Sequence, residues 1–120
     1  MARKRPKFDR EERAENVLRP SHYLGYNRDG LGCYFMERGA YAIAETQFRR
    51  AVWLNPYEPD FKVHWAVSLL KIGREAEARD VLAALLREEP NNAMAREVWK
   101  NHWSNQPVEA VGQQPPAKAG

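Results

Sequence analysis

Five residues of this chain recur 34 positions later with their order and chemical type kept: Gly39, Ala44, Phe48, Ala51 and Pro56 return as Gly73, Ala78, Leu82, Leu85 and Pro90. A fixed period of that length constrains the fold more than any single residue does. It marks a helix pair that cannot bury its own apolar face and stacks on its neighbour to do so. One further period lands on Trp99 and Trp103, the first helix of a third unit that never receives its second. The expected fold class is all-α: a short α-solenoid of two helix-turn-helix repeats plus a C-terminal capping helix. With 120 residues there is room for one domain.

The breakers along the chain place the elements. Residues 1–20 read as a basic arm, with a short helix from Asp9 to Leu18 stopped by Pro20. The repeat domain is expected at 21–104, with repeat 1 at about 25–58, repeat 2 at about 59–92 and the capping helix at about 93–104. Ser21 or Asn27 starts the first helix, which runs to about Arg38. Gly39 supplies the tight turn into a second helix, from about Ala40 to Leu54, and Pro56 and Pro59 break it. The next pair spans about Asp60–Ile72 and Glu75–Glu88, and the closing helix takes Ala93 to about Ser104. In that last helix Trp99 and Trp103 form the buried stripe, and Arg96, Lys100 and Asn101 the wet side. Residues 105–120 hold Pro107, Pro115 and Pro116 among Gly, Gln and Ala, a composition expected to be disordered.

These residues resemble the tetratricopeptide repeat (TPR) family, whose pattern runs W-x2-L-G-x2-Y, then Gly, Tyr, Ala, an aromatic, and Pro. Leu31-Gly32 and Phe35 fill the L-G and Y places of the first unit, followed by Gly39, Tyr41, Ala44, Phe48, Ala51 and Pro56. In the second unit Trp65-Ala66 and Leu69 stand at those places, followed by Gly73, Ala78, Leu82, Leu85 and Pro90. Arg28 replaces the Trp of the pattern, and Glu75 its Tyr. The likeness covers roughly residues 25–104. It implies a protein-protein interaction module, that is an adaptor, assembly factor, scaffold or chaperone-like protein, which binds an apolar peptide or amphipathic helix of a partner in a concave groove.

By the same resemblance the groove is lined by the first helix of each pair. It takes Tyr26, Asp29, Cys33, Met36 and Glu37 from the first, Asp60, Val63, Val67, Leu70 and Lys71 from the next, and Met94 and Glu97 from the last. The Asp60–Ile72 helix is apolar nearly all round. Phe61, Trp65, Leu69 and Ile72 satisfy a core, which leaves Val63, Val67 and Leu70 as an exposed patch suited to binding. The alternatives are that the chain's own Phe8, Val17 and Leu18 cover it, or that a symmetric homo-oligomer does. The family's basic clamp for a partner's terminal carboxylate is not expected, because Asp29, Cys33, His64 and Met94 stand at its places. Ile43 and Trp53 occupy outer positions, where Pro20–Leu24 is expected to fold back over them.

The charge is uneven. Residues 21–104 hold eleven Lys and Arg and eleven Asp and Glu, whereas Arg3, Lys4, Arg5 and Lys7 precede any acid. Such an arm touches an anionic partner or simply solvates the terminus. Four charges make few phosphate contacts, so nucleic acid is not the expected partner. Two alternative functions remain: a nucleic-acid-associated protein using that arm, and a self-assembling structural repeat unit. Cys33 is the one cysteine, which suits a reducing compartment, and neither a signal segment nor a membrane span is legible. A cytoplasmic protein is expected.

Little in the chain points to catalysis, a cofactor or a metal. Asp60, His64 and Ser68 fall at i, i+4 and i+8, but a straight helix gives a nucleophile neither an exposing turn nor an oxyanion hole. His22, His64 and His102 show no ligand spacing, and no phosphate-cradling glycine motif occurs. The expectation is a non-enzyme without cofactor.

Overall fold

A computed structural model describes residues 20–108. Among them are five helices and no strand: α1 Tyr26–Glu37, α2 Tyr41–Leu54, α3 Pro59–Lys71, α4 Glu75–Glu88 and α5 Ala93–Trp103. The ends of α2 and α4 are offset by the sequence period of 34, Tyr41 to Glu75 and Leu54 to Glu88. The arm at Arg3, Lys4, Arg5 and Lys7, the Asp9–Leu18 helix, and residues 109–120 lie outside the described residues, as do Phe8, Val17 and Leu18.

The turns within the two pairs are built alike. Gly39 has φ 78° and Gly73 φ 84°, the left-handed conformation that a Cβ disfavours. Gly39 N–H donates to the Met36 carbonyl and Ala40 N–H to that of Phe35; Gly73 and Arg74 donate to Leu70 and Leu69 in the same way. This pairing is the Schellman motif, which satisfies the last carbonyls of a helix while the chain reverses. Helix starts are also specified. Pro59 sits in the first turn of α3 behind Glu58, whose carboxylate accepts from Asp60 N–H, and Asn92 Oδ1 accepts from Ala95 N–H at 2.9 Å to cap α5.

Each helix packs on the next in the chain, and α3 also touches α1 and α5. Ala44, Ala51, Ala66, Ala78, Ala83 and Ala95 are fully buried where helices cross. Phe48, Leu54 and Phe61 fill the α1–α3 side, and Val63, Leu69, Leu82, Leu85, Trp99 and Trp103 are buried across α3, α4 and α5. Trp99 and Trp103 thus form the buried stripe expected of α5, and Arg96, Lys100 and Asn101 are exposed.

A buried carboxylate joins three helices. Glu45, 3% exposed, accepts from the Trp65 indole N–H at 2.8 Å and from Arg49 at 3.1 Å, with Arg74 at 3.8 Å. Trp103 donates to Glu75 and ties α5 to the start of α4.

Three expectations are corrected. Pro20–Leu24 does fold back, but onto the C-terminal end of α2: Ser21 N–H donates to the Leu54 carbonyl, the Asn55 side chain donates to the His22 carbonyl, and Leu24 is buried. Ile43 and Trp53 stay exposed, at 50% and 54%. Residues 105–108 are ordered, because Gln106 N–H donates to Trp103, the Trp99 indole donates to the Gln106 carbonyl, and Val108 packs on the core. Val63, expected in a groove, is 1% exposed. It belongs to the cluster that α4 and α5 close over α3, so it offers nothing to a partner.

Candidate functional site

The helices α1, α3 and α5 touch in succession, so their side chains share one face. Of the residues expected there, Tyr26 (50%) and Met94 (41%) are the most exposed apolar ones, and Glu37, Asp60, Lys71 and Glu97 are exposed. Asp29, Cys33, Met36, Val67 and Leu70 are half-buried. Val67 and Leu70 lean on the core of the second pair, which reduces the apolar patch that α3 presents. Glu97 lines a separate open cleft at the end of the stack, between α4, α5 and residues 104–108, with Arg87, Arg96, Lys100 and Val108.

Polar contacts organise the α1–α3 part of this face. The Tyr26 hydroxyl donates to Glu58 at 2.9 Å, and that bond holds its pKa above the ordinary phenol value. The Tyr26 ring meets Phe61 edge-on at 4.9 Å. Lys71 lies 5.4 Å from the Tyr41 ring, where α3 ends beside α2.

At the centre His64 Nδ1 lies 2.8 Å from Asp29 Oδ1. The bond to Asp29 raises the pKa of His64, against a lowering by burial. Cys33 stands one turn along α1 from Asp29, and donor atoms of Asp29, Cys33 and His64 all lie within 4.8 Å of one another. Burial raises the Cys33 pKa, with further contributions from the charges of Asp29 and Glu37. The thiol is therefore a poor nucleophile at neutral pH. The Phe48 ring, 5.5 Å from His64 between centroids, walls one side.

Sequence reasoning assigned Asp29 and Cys33 to the groove and His64 to the displaced clamp, yet missed that the three converge. The i, i+4 pair is visible in the chain; the contribution of α3 depends on how it crosses α1. The aligned Asp60, His64 and Ser68 are not brought together: His64 turns to Asp29, and buried Ser68 donates to the Trp65 carbonyl at 2.7 Å.

Among the described residues no helix is long and apolar enough to cross a membrane. In comparison with known proteins, no family model, no curated protein and no solved structure matches the chain.

Proposed function

We propose that this chain is a protein-binding module. It is a short α-solenoid of two tetratricopeptide-type helix pairs closed by α5, and it holds an apolar segment of a partner protein along the face of α1, α3 and α5. The observation that carries the reading is the succession of first helices on one another, with half-exposed Tyr26 and Met94 at its edges and half-buried Met36, Val67 and Leu70 between them. The 34-residue recurrence of helix ends and of the Schellman turns supports the repeat assignment. Apolar anchors fringed by Glu37, Asp60 and Lys71 suit an amphipathic helix or extended peptide that carries charges of both signs.

The test is selection of binders from a displayed library of random peptides, followed by affinity measurement against wild type and Met94→Glu. Met94 is chosen because it is exposed, so its loss leaves folding intact. Peptides with two or three apolar anchors are expected, and Met94→Glu should weaken them by about tenfold, which is ~1.4 kcal/mol. A library that yields no binder, or binders indifferent to Met94→Glu and to Tyr26→Ala, contradicts the reading.

A further inference from the structure

We propose that Asp29, Cys33 and His64 form a binding site for a zinc-like divalent metal ion, with three protein ligands and a fourth position open to water or to a partner's donor atom. The site does not depend on the peptide-binding reading.

The donor set is the first argument. Sulfur, imidazole nitrogen and carboxylate oxygen are the ligand types of zinc, and the sulfur discriminates against magnesium and calcium, which take oxygen. The second argument is geometric. Asp29 and Cys33 lie one turn apart on α1, and His64 reaches them from α3, so two packed helices hold the three donors within 4.8 Å of one another. Bond lengths of about 2.0–2.3 Å place donors about 3.3–3.8 Å apart around a tetrahedral ion, a closure within reach of side-chain rotation. The third argument excludes a catalytic relay. In an acid–imidazole–thiol relay the carboxylate and the sulfur sit on opposite sides of the ring, and here the sulfur sits beside the carboxylate.

The surroundings agree. Asp29 and Glu37 act on Cys33, and Asp29, Asp60 and Glu58 act on His64, so the local field is negative and favours a cation. The side chains of Asp29 and His64 are 16% and 30% exposed, which leaves an approach from solvent. Coordination releases the Cys33 thiol proton to solvent. The proton that His64 Nδ1 shares with Asp29 also leaves that nitrogen, to solvent from the imidazolium or to Nε2 from the neutral ring, so that the Asp29–His64 hydrogen bond gives way to two bonds to the ion.

The experiment uses the untagged full chain and titrates it with cobalt(II), then zinc(II). One equivalent of cobalt should bring up a sulfur-to-metal charge-transfer band and the visible absorption of a tetrahedral ion, and zinc should abolish both. Because Cys33 is the one cysteine of the chain, a thiol-specific reagent reports on it alone. Zinc should slow that reaction at least tenfold, whereas magnesium should leave it unchanged. Cys33→Ser should remove the band, and His64→Gln should weaken zinc at least tenfold. No charge-transfer band in wild type, or a thiol reaction unaffected by zinc, overturns the site, and neither observation requires a variant to fold. Zinc binding that survives Cys33→Ser unchanged would mean an adventitious surface site and overturns it equally.

Discussion

Two glycines of α1, two positions apart, should respond to the same substitution with opposite sign. A Cβ built on Gly30 meets nothing within 4 Å; one built on Gly32 falls 2.3 Å from Phe48 Cε1, 2.5 Å from Cδ1 and 2.7 Å from Cζ. Phe48 is 1% exposed, so its ring yields only by moving what surrounds it. Both glycines are interior to a helix, where alanine is favoured by about 1 kcal/mol. Gly30→Ala should therefore stabilise the fold by up to ~1 kcal/mol. Gly32→Ala receives the same gain against overpacking at the upper end of the range, about 3 kcal/mol, which leaves a net loss of about 2 kcal/mol. For a domain of this size each kcal/mol moves Tm by about 4–8 °C. The assay is urea unfolding followed by tryptophan fluorescence, with helical circular dichroism as a second probe. Phe48→Leu in the Gly32→Ala background should recover part of the loss, a coupling absent when it is combined with Gly30→Ala. If Gly32→Ala stabilises as Gly30→Ala does, α1 is not seated on α2 at the depth described.

Glu45→Ala should cost about 2 kcal/mol in the same unfolding assay, because it takes the charged partner from the Trp65 indole and from Arg49; an effect under 0.5 kcal/mol would refute the three-helix carboxylate junction. Trp53→Glu should change stability by no more than about 0.5 kcal/mol, as fits a half-exposed ring; a large loss would restore the expectation that residues 20–24 cover it. In chelator-treated protein the His64 imidazole should titrate, by NMR, above the ordinary histidine value, and Asp29→Asn should bring it down. The folded pKa being the higher one, this pair's contribution to stability is complete below the ordinary histidine pKa and is lost as pH rises through the raised one. A His64 midpoint at or below the ordinary value would refute the pairing.

The helices and their turns were legible because their causes are local. Gly39 and Gly73 sit where a Schellman turn needs a left-handed residue, and the prolines and Asn92 mark helix starts and stops. Side-chain fate on α3 was not, because a helix apolar all round leaves periodicity nothing to distinguish. Which flank of α3 is covered depends on how α4 and α5 pack on it. That packing buries Val63 and spares part of Val67 and Leu70. Residues 20–24 carry two large apolar side chains, Tyr23 and Leu24, whose fates differ. Leu24 is buried, whereas Tyr23 stays 85% exposed. The Asp29–His64 contact lies between residues 35 apart in the chain, one period plus one, a relation that only the stacking of α3 on α1 turns into proximity.

We propose one binding face across α1, α3 and α5. Its most direct test is the NMR footprint of a selected peptide on isotope-labelled full chain. The account predicts shifts confined to Tyr26, Met36, Val67, Leu70, Met94 and their neighbours, with Ile43 and Trp53 on α2 and the exposed residues of α4 silent. A footprint on Ile43 and Trp53 instead, or on the cleft lined by Arg87 and Arg96, would contradict it.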